Sequence, residues 1–147
     1  TVYSFLLLFF IIMFPGLLFP SFINIIGFLL ALFISVFLSY SIYYIMICFA
    51  FWFGEVRAIV VAYNLSMIIL SGQYIPIRLF PDYILDIMQF TPLLYLVDFP
   101  VSIATGRIPI DDWIFNFIIS IGWCFVMWFI GSIIYKQGIR SYEAYGS

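Results

Sequence analysis

Two pairs of carboxylates are the residues in this chain whose types and spacing could do chemistry. Asp82 and Asp86 stand one helical turn apart, and Asp111 and Asp112 are adjacent just before Trp113. Carboxylates so placed can share a proton or hold a divalent cation. Neither pair has the company such chemistry needs. The sequence contains no histidine, which excludes His-based triads, HExxH zinc sites and histidine proton shuttles. No GxxxxGK[ST] or GxGxxG phosphate loop occurs. An isolated acidic pair at i,i+4 reads as a solvated helix face, and Asp111-Asp112 as the capped start of a helix. Cys48 and Cys124 lie in apolar segments without CxxC spacing and read as reduced packing residues. The residue types point away from an enzyme and imply neither cofactor nor metal.

Composition says what must position the few polar groups. Hydrophobic residues make up 67% of the 147, charged residues 8% and aromatic residues 23%, with a mean hydropathy of +1.24. A chain of this size cannot hide so much apolar surface in one core, so its solvent is a bilayer. A net charge of −2 with no basic run argues against nucleic acid. The opening residues have no basic stretch before an apolar one and no small-residue cleavage site, so a signal peptide is not expected. Starting inside an apolar segment, the chain reads as the later part of a longer protein.

Hydropathy divides the chain into four predicted spans, at residues 2–18, 22–53, 58–75 and 113–135, with a polar tail at 136–147. The second is long: 32 residues of helix measure about 48 Å against a hydrocarbon core of about 30 Å, so it tilts or projects. With the tail in the cytoplasm, Arg57, Lys136 and Arg140 lie inside, and Arg78 and Arg107 outside. Small residues recur every four positions, first at Gly27, Ala31, Ser35 and Ser39, then from Ala50 through Gly54, Ala58 and Ala62 to Ser66. Such ridges let backbones approach closely, within one subunit or across a dimer seam. Trp52, Tyr74, Tyr83, Trp113 and Tyr135 read as interfacial anchors.

Between the third and fourth spans the pattern breaks. "SGQYIPIRLFPDY", residues 71–83, carries a glycine, two prolines and a glutamine where the third span should finish. Gly72 and Pro76 loosen that end, and Pro81 with Asp82 suits the first turn of a new helix. In that helix Ile84, Ile87 and Met88 share one face and Asp82, Asp86 and Gln89 the other. Pro92 stops it, and the short segment 93–97 ends at Asp98 and Pro100. Residues 76–112 are therefore expected to form a pair of short re-entrant or interfacial helices. Non-spanning backbone at membrane depth survives only buried in protein or lining a wet cavity. The polar residues in the spans (Asn24, Asn64, Ser66, Ser71, Gln73 and Asn116) read first as hydrogen-bonding glue between helices and second as the lining of a path; Asn64 and Gln73 share a span with the break and are the better candidates for a path. Gly72, Pro76 and Pro81 are the candidate gate.

Taken in order, these features carry a resemblance. Ala50-Phe51-Trp52 is followed by a turn with Glu55 and Arg57; Leu70-Ser71-Gly72 leads to Ile75-Pro76 and Phe80-Pro81. Thr91-Pro92 and Tyr95 precede Phe99-Pro100 and Gly106. The last span ends in Gly138-Ile139-Arg140-Ser141-Tyr142-Glu143, with Gly146 near the end. Over residues 50–146 the chain resembles the C-terminal half of a bacterial type-2 ABC exporter permease, the six-span kind paired with a separate ATPase; residues 1–49 agree in hydropathy alone. The resemblance implies that the four spans are the third to sixth of six, and that the segment after the fifth is an extracellular re-entrant cap. It also implies a second permease copy or homologue and an ATP-binding subunit as partners. The main coupling loop would precede residue 1, leaving Glu55 and Arg57 as a candidate ATPase-side turn. The bacterial inner membrane is the implied location.

The expectation is thus an all-α integral membrane protein with four transmembrane helices and a re-entrant pair before the last. Its expected role is that of a permease subunit in ATP-driven export. The alternatives are a non-transporting membrane anchor or immunity-type binding protein, and an ion-driven secondary carrier. The carrier normally needs an ionisable residue deep in a span, and these spans hold none.

Overall fold

The computed structural model describes Met13, residues 21–70, Pro81, Tyr83, Ile87, Met88 and residues 90–145, the side chains of 69, 70 and 141–145 excepted. The predicted span at 2–18, Met13 apart, the stretch 71–80, and Asp82, Ile84, Asp86 and Gln89 of the expected short helix lie outside the described residues. Within them the architecture is helical, with no strand: α1 (Phe22–Cys48), α2 (Ala50–Phe53), α3 (Arg57–Leu70), α4 (Asp98–Ala104) and α5 (Ile110–Tyr145).

An uninterrupted run without charge or proline makes α1, and a single turn residue, Phe49, carries it into α2. The Trp52 and Phe53 amides both donate to the Phe49 carbonyl at 3.1 Å, so Phe22–Phe53 forms one apolar rod of 32 residues. Gly54 ends it at φ 67°, left-handed backbone that a side chain would strain. Two helices are long and apolar enough to cross a membrane, Phe22–Phe53 and Ile110–Arg140. The described part of the third predicted span is α3, whose 14 residues reach about 21 Å. The fourth is longer than expected. It starts at Ile110, behind Pro109, and continues through the supposed tail to Tyr145. Asp111 and Asp112 lie in its first turn, where they favour the helix dipole rather than cap the end.

Residues 93–100 differ from expectation. Asp98 and Pro100 begin α4 instead of ending a helix. Proline is harmless there because the first-turn amides have no intrahelical acceptor. Of the apolar face expected on the preceding segment, Met88 is buried but Ile87 is exposed.

α1 packs mainly on α5 and then on α4, while α3 touches α1 lightly. The seam between α1 and α5 is cut by glycines. A Cβ on Gly27 would strike the Trp113 ring, with Cη2 at 2.8 Å, and Ile103 Cγ2 at 3.1 Å. On α5, a Cβ on Gly131 would meet Tyr44 Cδ1 at 2.9 Å, and one on Gly138 would meet the Phe51 ring. Partner numbers rise together along both helices, so α1 and α5 run parallel. The Gly54–Arg57 turn and Lys136 therefore share one end of the pair, while Asn24, α4 and Asp111-Asp112 share the other.

The polarity of this bundle is inverted. Facing inward on α1 are Asn24, Gly27, Ala31, Ser35, Leu38 and Ser41. Outward stand Phe33 at 75% exposed, and Phe125 on α5 at 68%. Small and hydroxylated residues at the contact with bulky apolar ones outside suit a lipid solvent, where packing rather than water drives association. Three members of the first small-residue ridge are buried as expected, but Ser39 is only half-buried. A step of four overshoots a turn by about 40°, so the contact passes to Leu38 and Ser41. The Ala58, Ala62 and Ser66 stretch is exposed.

Replacing Gly27 with Ala should force Trp113 from its seat and cost about 1–3 kcal/mol, read as a lower thermal midpoint in detergent. Gly122→Ala, where an added Cβ meets nothing within 4 Å, should leave the midpoint unchanged or raise it. Equal behaviour of the two variants would show that the seam tolerates a wider spacing.

Candidate functional site: a helical cap on the α1–α5 pair

The segment from Phe90 to Pro109 folds over one end of the parallel pair. Pro92 starts a run of tight turns, in which the Tyr95 and Leu96 amides reach back three residues at 3.2 and 3.3 Å. These turns bring two aromatic rings inward. Tyr95 and Phe99, each 1% exposed, stack edge to face at 5.7 Å, and Phe99 meets Phe117 of α5 at 5.1 Å. Ile103 is fully buried between them and Trp113. Burial pushes the Tyr95 phenol above its ordinary value, so it stays neutral across the physiological range.

Irregular backbone in such surroundings must have its polar groups satisfied. α4 closes with a six-to-one bond, from the Arg107 amide to the Ser102 carbonyl at 2.8 Å, and an inner bond from Gly106 to Ile103 at 3.1 Å. Gly106 takes φ 64° to make this possible. The Ile103 carbonyl accepts a second bond, from Asn24 Nδ2 of α1 at 2.8 Å. Trp113 Nε1 donates to the Ile108 carbonyl, and Trp123 Nε1 to that of Phe90, both at 3.1 Å. Asn24, Trp113 and Trp123 thus hold the cap by its backbone at three points. At its rim Arg107 pairs with Asp98 at 3.5 Å, and Ser102 Oγ donates to the same carboxylate at 3.3 Å. A partly exposed pair at this distance contributes little to stability.

Of the residues singled out from the sequence, the described ones do not meet at the cap. Gly72, Gln73 and Pro76 lie outside the described residues. Pro81 is exposed and in no regular element. Asn64 is exposed on α3, where its Oδ1 accepts a 2.6 Å bond from Tyr43 of α1. With the Tyr43–Tyr63 edge contact at 5.5 Å, it ties α3 to α1. Glu55 and Arg57 form an exposed ion pair at 3.7 Å at the other end of the molecule. Trp113, read as an interfacial anchor, is instead a buried strut, because Gly27 leaves room for its ring. Asn24 takes the interhelical hydrogen-bonding role that a lone amide in an apolar span suggests, whereas sequence reading passed over Trp123. Among the described residues no cluster of His, Cys, Asp or Glu could hold a metal, and Cys48 and Cys124 are free and buried.

Asn24→Leu should strip one bond from the Ile103 carbonyl and leave its second acceptor site unfilled. The expected cost is about 0.6–1.7 kcal/mol, with faster amide exchange at Gly106 and Arg107. Exchange at those amides indistinguishable from that of the unaltered protein would remove Asn24 from the list of cap supports.

Neither a curated protein nor a solved structure matches the chain. A family model does, that of the ABC-2 family transporter proteins, over residues 2–146. That match covers both long apolar helices, the cap between them and the inward-facing small residues. The chain belongs to the ABC-2 family of membrane transport proteins.

Proposed function

We propose that the chain is a membrane-spanning permease subunit of an ATP-driven ABC export complex and forms part of its translocation pathway. The observation that carries this reading is the family match over nearly the whole chain. Its membrane is the bacterial inner membrane, and its partners are an ATP-binding ABC subunit and a second permease copy or homologue. The end bearing Arg57, Lys136 and Arg140 faces the cytoplasm, as the excess of cations there favours. The Glu55–Arg57 turn is then available to the ATPase. The cap lies outside, over the exit. In this reading Gly72 and Pro76 bend the chain after α3 toward Pro81, and Asn64 and Gln73 border the path.

Two measurements test it. A tagged chain should co-purify an ATPase carrying a Walker A loop in a fixed ratio; an isolated chain in mild detergent, without any ATPase, would count for the anchor reading instead. Topology is read by an impermeant thiol reagent on intact cells, with little background from the buried Cys48 and Cys124. Asp111→Cys should label and Lys136→Cys should label only after the cells are opened. The reverse pattern would invert the orientation.

A further inference from the structure

A second feature lies at the end opposite the cap. Phe49, Trp52 and Phe53 line one wall of an open groove of about 440 Å³, and Ile134 and Gln137 of α5 line the other. Trp52 and Phe53 are 43% and 67% exposed. The Phe49 ring sits 6.4 Å from that of Trp52 and 6.3 Å from that of Phe53, so the wall is a continuous aromatic surface. The groove is apolar along its length and polar at Gln137, where the chain turns basic. Lys136 and Arg140 are exposed on successive turns of α5 flanking Gln137. Among the described residues neither has an ion-pair partner, whereas Arg57 is engaged with Glu55. The next acid along α5 is Glu143, against these two cations.

An occupant must match both parts: a long apolar portion to lie on Phe49, Trp52, Phe53 and Ile134, and an anion to meet Lys136 and Arg140. We infer that this groove binds an anionic phospholipid, one acyl chain against the aromatic wall and the phosphate at Lys136 and Arg140. The charge complementarity selects an anionic headgroup over a zwitterionic one, and the position at the end of two membrane-length helices sets the groove at headgroup depth. Aromatic rings at that depth supply an apolar body beside a wet rim. Arg140 lies one turn past the groove-lining Gln137, and Lys136 is its neighbour in sequence on the exposed side of α5. Their long stems can lie along the apolar surface while their charges stay in the headgroup layer.

Trp52 is a built-in reporter. The protein, with whatever chains co-purify, is reconstituted in phosphatidylcholine vesicles containing brominated phosphatidylglycerol or brominated phosphatidylcholine. The Trp52 signal is taken as the difference from Trp52→Phe. Brominated phosphatidylglycerol should quench Trp52 at a several-fold lower mole fraction. The preference should fall by roughly 5-fold for each cation lost in Lys136→Gln and Arg140→Gln, and persist when Lys136→Arg is combined with Arg140→Lys. Soluble glycerol phosphate at millimolar concentration should leave the quenching unchanged. Matching curves for the two brominated lipids would overturn the inference, as would a preference that survives the double Gln variant. So would relief of quenching by glycerol phosphate, which would assign the site to a free anion, or protection of Trp52 by a bound protein partner.

Discussion

Everything described in this molecule rests on how closely α1 and α5 approach. Helices in lipid gain nothing from hiding apolar surface from one another, so close packing has to supply the attraction. Gly27 makes the critical allowance at the cap end. Without a side chain there, the Trp113 ring lies against the α1 backbone and its indole N–H still reaches the Ile108 carbonyl. Gly131 and Gly138 repeat the device in mirror fashion, receiving Tyr44 and Phe51 from the other helix. Each notch takes an aromatic ring, so the seam is both close and keyed in register.

The second constraint is the backbone of the cap. A turn-rich segment placed against two apolar helices brings carbonyls that water cannot reach. The structure answers with a side-chain donor from α1 beneath, Asn24 to the buried Ile103 carbonyl, while at the exposed edge Trp123 of α5 donates to Phe90. No buried side-chain nitrogen or oxygen among the described residues lacks a partner. The cap is therefore keyed to α1 and α5 rather than draped over them. α3 differs. It is joined through Gly54 and two non-helical residues, and the exposed Tyr43–Asn64 hydrogen bond and the Tyr43–Tyr63 ring contact link it to α1.

What the sequence by itself determined was the solvent and the rough plan. A charge-free run of this length has few solutions other than a membrane-length helix, and glycine beside two charged residues has to end it. The order of weak motifs through residues 50–146 was enough to name the family. Even the buried ridge of Gly27, Ala31 and Ser35 was legible, because small residues one turn apart in an apolar helix have little purpose except contact.

The tertiary structure alone decided which polar atoms meet. Asn24 and Ile103 are 79 residues apart, and nothing local to either indicates a partner. Trp113 looked like an interfacial anchor because its ring, at the start of a span, is a common sight at that depth; the notch at Gly27 that buries it belongs to another helix. Asp98 and Pro100 read as a helix end because proline is a breaker in general, but it is harmless in a first turn, and only the docked position of α4 shows that a helix begins there. Asn64 was legible as a polar group that would bond another helix or line a path, but that Tyr43 is its partner depends on where α3 lies beside α1. Local chemistry sets the type of each element. Which faces meet is a property of long-range packing, and one chain read in order does not contain the distances that settle it.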